Sequence, residues 1–268
     1  MDHGIPLTTA FVGWGVFVPV TFFGLLGLFR AMDLWPEKTR AGSRASDIMA
    51  FEIMAGLCVL YLAVMGSIAY FDLMPDQFDY NLVREDIFYG KSQFVENHLI
   101  APMISYQGWN FLLCLFNADL RDPAMIGHHI VTGTLAYMGL HPYLHGRAMF
   151  FFGFAEFTNV PLTFVDIFKY FPALKEKYSL LNEVSRVVFA LSFIIIRLII
   201  WPVVSYHFWV GSYDLLSTGK AHSTFVVSFF LGANVFLTGL QFLWGSKIFG
   251  FLFKSGKSKK SGENKKAK

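Results

Sequence analysis

Two adjacent histidines, an intramembrane-looking carboxylate and an arginine in the middle of an apolar run are the residues of this chain best suited to chemistry. The histidines lie in Gly127-His128-His129-Ile130-Val131-Thr132. On a helix, neighbouring side chains point about 100° apart, so the two rings make a poor pair of ligands for one metal, and no metal site is expected. His128 and Thr132, four residues apart, share a face. One imidazole can therefore face an interior while a neighbouring helix holds the other. A neutral imidazole suits proton transfer or nucleophilic attack on an acyl group. A packed, hydrogen-bonded histidine pair fits the same spacing, and both readings stay open on spacing alone.

Polar residues recur at helical spacing elsewhere. Glu156, Asn159, Thr163 and Asp166 follow offsets of 3, 7 and 10, which put all four on one helical face. Tyr106, Asn110 and Asn117 share a face by the same arithmetic, as do Asn234, Thr238 and Gln241. Arg186 and Arg197, eleven residues apart, also point the same way. Arg197 sits within FALSFIIIRLIIW (189–201). An ionisable group at the centre of a membrane helix costs about 2.5–3.5 kcal/mol on insertion scales, so Arg197 needs a partner: Glu156, Asp166 or an anionic ligand headgroup. Four helices with one polar face each imply a bundle with those faces turned inward around a cavity. Interhelical hydrogen bonds that hold the bundle together are the competing role for the Asn and Thr residues.

The elements that would position these groups are membrane helices. Of 268 residues, 54% are hydrophobic and 15% charged, too apolar a balance for a water-soluble domain of this length. A span needs about 20 apolar residues, and seven such stretches can be placed, at roughly 8–30, 48–73, 95–117, 124–141, 147–169, 184–210 and 223–253. A β-barrel would instead show strictly alternating segments of about ten residues, and the apolar blocks run well past that. The expected fold class is all-α integral membrane, with about seven transmembrane helices. The first stretch lacks a basic leader and exceeds a typical signal-peptide core, so it reads as a span. It carries Gly13, Gly15, Gly24 and Gly27 and no ionisable group between Thr8 and Phe29, which suggests close helix contact from a position outside a six-helix core. Residues 1–43 then form an N-terminal helix and loop, 44–253 the six-helix domain and 254–268 a basic tail. Cys58 and Cys114, both within predicted helices, read as packing residues and not as a disulfide framework.

The net charge of +3 hides a tail with seven lysines, KSGKSKKSGENKKAK. A short basic segment after a last span marks the cytoplasmic side, and no nucleic-acid partner is expected. With seven spans, Arg30, Lys38, Arg40, Arg44, Arg121, Lys169, Lys175 and Lys177 fall on the same side as the tail. Only Arg84, Lys91, Arg147 and Lys220 fall on the other. The asymmetry supports a cytoplasmic C-terminus. Lys265 and Lys266, at the fourth and third positions from the end, resemble a dilysine signal for retrieval to the endoplasmic reticulum.

Several stretches in order, SYQGWNFLLCL (105–115), HHIVTGTLAY (128–137), AEFTNVPLTFVDIFK (155–169) and NEVSRVVFALSFIIIRLIIWP (182–202), resemble the TLC-domain membrane proteins, a family that includes ceramide synthases and translocon-associated proteins. The resemblance spans about residues 44–245 and implies a six-helix core. In ceramide synthases a pair like His128 and His129 serves acyl transfer from acyl-CoA to a sphingoid amine. Their second motif, His-Asp followed three residues later by Asp, corresponds here to Ala155-Glu156-Phe157-Thr158-Asn159. The acidic position survives as Glu156, while the histidine is an alanine and the second aspartate an asparagine. The chain is therefore closer to the non-synthase branch, for which the resemblance implies roles in membrane lipid homeostasis, acyl-chain composition or cargo handling.

Two functions compete. One is acyl transfer, with His128, His129 and Glu156 as catalytic residues, no bound cofactor, and acyl-CoA as substrate. The other is binding of membrane lipids or fatty acyl chains without turnover, by Tyr106, Asn110, Thr132, Asn159, Asp166, Arg186, Arg197 and Asn234; a homo-oligomer is compatible with either. A receptor has only its span count in favour. A di-iron enzyme would need clustered histidines, whereas the eight here are scattered, and His141-Pro142 with His145 reads as a luminal turn.

Overall fold

In lipid a backbone must satisfy its own polar groups, and an apolar run of about 20 residues does so as a helix. The structure, a computed structural model, describes residues 6–39, 41–73, 88–141 and 143–266, with side chains up to Gly250. Its long elements are α1 (Leu7–Ala31), α2 (Ala45–Asp72), α3 (Gln93–Phe116), α4 (Pro123–Met138), α5 (His145–Tyr170), α6 (Ser179–Ser217) and α7 (Thr224–Lys266). Six of the seven are long and apolar enough to cross a membrane, with α7 crossing over Thr224–Gly250. The exception is α4, whose 16 residues rise about 24 Å.

That α4 nonetheless runs from one face of the bundle to the other follows from its neighbours. At one end the connections after α1, α3 and α5 meet. Thr39 Oγ1 donates to Asp119 Oδ2 at 2.5 Å, Ser43 Oγ to Asn117 Oδ1 at 2.7 Å, and Tyr170 to the Asp119 carbonyl at 3.4 Å. At the other end the segments before α3, after α4 and after α6 meet. Leu144 N–H donates to the Phe88 carbonyl at 2.6 Å, Tyr89 to the Lys220 carbonyl at 3.1 Å, and His222 N–H to Tyr89 at 3.2 Å. Ser92 N–H donates to His145 Nδ1 at 3.0 Å, so the opposite nitrogen carries the proton and donates to the Gly139 carbonyl at 2.7 Å. His145 thus spends both nitrogens on backbone. Seven helices therefore alternate in direction.

The cations sort accordingly. Arg30, which pairs with Asp47 at 3.0 Å, belongs to the first end with Lys38, Arg44, Arg121, Lys169, Lys175 and Lys177. Lys91 and Lys220 belong to the second. Arg147 departs from its assignment to a loop: α5 begins at His145, and its first turn buries Arg147 to 7% exposure. Arg40, Arg84, Pro142 and the side chains of Lys265 and Lys266 lie outside the described residues.

Helix α4 starts where Asp122 accepts from Ala124 N–H at 2.8 Å and Met125 N–H at 3.3 Å, with Pro123 in the first turn. Both devices are common N-terminal stops. Asp122→Ala is expected to lower stability by about 0.5–2 kcal/mol, read as a shift in the unfolding midpoint in detergent.

Helix α1 is peripheral, burying only Val18, Phe22, Leu26 and Phe29. It docks on α2 and α3 through rings, Trp14 against Tyr61 and Phe22 against Trp109. Its glycines do not make the expected close contacts: a Cβ added at Gly13, Gly15, Gly24 or Gly27 would meet nothing within 4 Å. The close approach is elsewhere, where Gly66 of α2 lies against Gly153 of α5 with no side chain between the backbones. Cys58 and Cys114 are buried free thiols, as packing residues would be.

Three of the long helices are interrupted, α3 by a π-helical turn (Glu96–Ile100) near its start, and α2 ends in another (Ala69–Leu73). α5 passes through a π-helical turn (Met149–Gly153) and a 3₁₀ segment (Phe154–Thr158) before its α-helical half (Asn159–Tyr170), and α6 contains a π-helical stretch (Phe193–Ile200). A π turn holds more residues than an α turn, so faces computed at 100° per residue do not carry across it.

Candidate functional site

Between α4, α5, α6 and α7 lies a cavity with mostly apolar walls, among them Leu135, Phe151, Phe152, Phe208 and Leu237. His128 and Thr132 from α4, Glu156 from α5, Arg197 from α6, and Asn234 and Gln241 from α7 supply its polar surface. The volume open to the centre of a water molecule is about 40 Å³, where one water needs about 10–15 Å³. The cavity as it stands holds a few waters.

Glu156 and Arg197 form its charged wall. Arg197 Nη2 is 3.4 Å from Glu156 Oε1, Arg197 Nε donates to Thr158 Oγ1 at 3.2 Å, and the guanidinium lies 5.4 Å from the Trp201 ring. Asn159 Nδ2 donates to the other carboxylate oxygen, Glu156 Oε2, at 2.7 Å. Both charged residues are about 5% exposed. Arg197 therefore takes Glu156, and not Asp166, as its partner, and the pair presents little net charge to the cavity.

The histidines separate. His128 lines the cavity, 3.5 Å from Thr132 Oγ1 through Nδ1 and edge-on to Trp244. His129 turns away: its Nδ1 is 2.5 Å from Gln107 Oε1 of α3, and it borders a different groove.

The remaining sequence-derived candidates lie apart from the cavity lining. Asn159 reaches it only through Glu156. Tyr106 packs against both apolar clusters of the core, and Asn110, on the same face of α3, is 1% exposed. Asn117 does not follow them inward; it ends α3 and holds Ser43 and the Asp119 N–H. Asp166 does not share a cavity face with Glu156, because the 3₁₀ segment resets the register. It lies 3.9 Å from Lys169 and within electrostatic reach of Glu52 on α2. Arg186 pairs with Glu183 at 2.9 Å and is 29% exposed; it precedes the π-helical stretch that contains Arg197.

Sequence reasoning did not single out Gln241, Trp201 or Thr158 as site residues. Gln241 was on a recognised polar stripe, and in the structure it is 1% exposed with neither side-chain polar atom hydrogen-bonded. Its neighbours on α7 are engaged: Asn234 receives Trp209 and donates to Ser205, and Thr238 receives Trp201. At the loop end of the cavity, burial pushes the Tyr143 hydroxyl up to about 12, so it stays neutral.

Neither the curated proteins nor the solved structures contain a match to this chain. A family model does match, over residues 50–250, and its description is the TLC domain. Since that span covers α2 to α7 and well over half of the sequence, the chain belongs to the TLC-domain family.

Proposed function

We propose that this chain handles membrane lipids by taking an acyl chain or lipid tail into the cavity between α4 and α7, and that it does so in the endoplasmic reticulum with its basic tail in the cytoplasm. The observation that carries this reading is the cavity itself: mostly apolar walls inside a membrane bundle, with a few polar groups among them and its Glu156–Arg197 ion pair internally neutralised. Such a lining suits hydrocarbon with a polar group at one end. Its narrowness means that a chain enters as the lining side chains part. The excess of Lys and Arg at the end shared with the tail supports the orientation.

A second reading, acyl transfer, draws on one specific observation: His128 borders the same cavity as Glu156. In that reaction an acceptor amine or hydroxyl attacks the thioester carbon of acyl-CoA, His128 takes its proton, and the C–S bond breaks as the proton passes to the leaving thiolate. His129, turned to Gln107, would have no part in the chemistry.

The test uses the full chain in membranes with labelled acyl-CoA and sphingoid-base or lysophospholipid acceptors, followed by mass spectrometry of products and of copurifying lipid. Acyl transfer requires product from the wild type, a loss of about 10²–10⁴-fold in His128→Ala, as for a general base, and near-normal turnover in His129→Ala. Lipid binding without turnover gives no product and a copurifying lipid lost when Leu135→Trp fills the cavity. Absence of both product and bound lipid would sink the two readings together.

A further inference from the structure

Most polar groups on the lining of the cavity between α4 and α7 have partners within the bundle. Glu156 and Arg197 satisfy each other, Asn234 receives Trp209 and donates to Ser205, and His128 lies 3.5 Å from Thr132 Oγ1. Gln241 is different. It lines the cavity at 1% exposure, with both polar atoms of its side chain enclosed and neither of them hydrogen-bonded. Asn234, about two turns earlier on α7, shows that the bundle can hold a buried amide at both ends. A buried donor and a buried acceptor left unmet are costly, so the Gln241 amide calls for a partner that the chain itself does not supply.

Gln241 stands at one end of the cavity. Trp244, less than a turn further along α7, is edge-on to His128 with ring centroids 5.7 Å apart, so Gln241 and His128 belong to the same end. At the other end Tyr143, whose hydroxyl is also unpaired, packs on Phe230 with ring centroids 5.0 Å apart. From Phe230 to Gln241 the helix rises about 16 Å, and Leu135, Phe151 and Leu237 are among the apolar walls.

A primary amide offers an acceptor oxygen and a donor nitrogen side by side, and the end of an acyl chain that matches both is a neutral carboxylic acid. Its O–H donates to Oε1 while its carbonyl accepts from Nε2. An ester or thioester carbonyl only accepts, and a trans secondary amide turns its N–H and C=O to opposite sides. A carboxylate has no donor, and Arg197, already neutralised by Glu156, leaves it no countercharge; burial favours the uncharged acid. We infer, on the lipid-binding reading of this cavity, that its ligand is a free fatty acid, held by its protonated carboxyl group in a twofold pairing with Gln241 and with its hydrocarbon running toward Phe230 and Tyr143.

The test reconstitutes the full chain in phosphatidylcholine vesicles containing a fatty acid with a photoactivatable group on its chain, or the methyl ester of the same acid, which keeps the carbonyl and loses the donor. Labelled peptides are mapped by mass spectrometry. The expected result is that the acid labels residues 128–139, 148–156 or 230–241 about fivefold or more above the ester, as for the loss of one buried hydrogen bond. Gln241→Met, close in shape, reduces labelling by the acid to the level of the ester. Its unfolding midpoint in detergent is no lower than that of the wild type, because no partner in the bundle is lost. A purely structural amide would lower that midpoint, and such a drop overturns the inference, as does a preference for the acid that persists in Gln241→Met. Equal labelling of these segments by acid and ester, lost in Leu135→Trp, overturns the inference and leaves the lipid-binding reading standing, whereas labelling of the segments by neither probe counts against both.

Discussion

Glu156→Leu is expected to lower stability by about 3–5 kcal/mol, because it leaves Arg197 as an uncompensated cation in a site about 5% exposed. Arg197 keeps Thr158 and the Trp201 ring, but neither carries negative charge. The informative comparison is the double variant Glu156→Leu/Arg197→Met. Replacing a whole buried ion pair by apolar side chains of similar size is often close to neutral, so the double variant should recover most of the loss. Recovery will be incomplete, since Asn159 and Thr158 lose hydrogen-bond partners, at about 1–3 kcal/mol for a buried polar group left unpaired. Unfolding midpoints of the four proteins in one detergent close the cycle. A double variant as unstable as the sum of the single ones would show that the two side chains act independently, contrary to the contact in the structure.

Gly66→Ala should be at least as damaging. Extra volume in a packed interior usually costs about 1–3 kcal/mol, because neighbouring side chains can adjust. Here the added methyl would strike the Gly153 Cα and lie 2.6 Å from the Phe154 nitrogen, and backbone cannot rotate out of the way. Helices α2 and α5 would have to part, three residues before Glu156. We expect little folded Gly66→Ala protein, and the same for Gly153→Ala, by size-exclusion profile and yield from membranes. Gly15→Ala, in open space on α1, should behave as wild type. A Gly66→Ala protein of normal yield and melting behaviour would mean that the crossing is looser than described.

The sequence was a good guide to whatever depends on apolar run length and a poor one to whatever depends on register. Seven helices, the peripheral place of α1 and the sorting of loop cations follow from the energetics of lipid, which act on stretches and tolerate an error of a few residues. The division of labour between His128 and His129 was also foreseeable, since both sit in an uninterrupted α-helix where 100° per residue holds. Asp166 and Arg186 were misplaced because their directions were computed through Phe154–Thr158 and Phe193–Ile200, where the helical period changes just before Pro161 and Pro202, each of which lacks an N–H for the residue four back. Gln107, which fixes the orientation of His129, carried no signal of its own: it is one amide in an apolar helix, made significant only by the helix beside it.

The brevity of α4 bears on the membrane around it. Its 16 residues cover about 24 Å, against a hydrocarbon core of about 30 Å on average and about 27 Å in the endoplasmic reticulum. The longer helices can tilt to match a thinner bilayer, but a short one has no such recourse, so the lipids beside α3 and α4 must compress. That mismatch costs fractions of a kcal/mol per ångström and grows with sterol-rich thickness, which gives the bundle an energetic preference for thin membranes that no targeting signal need supply.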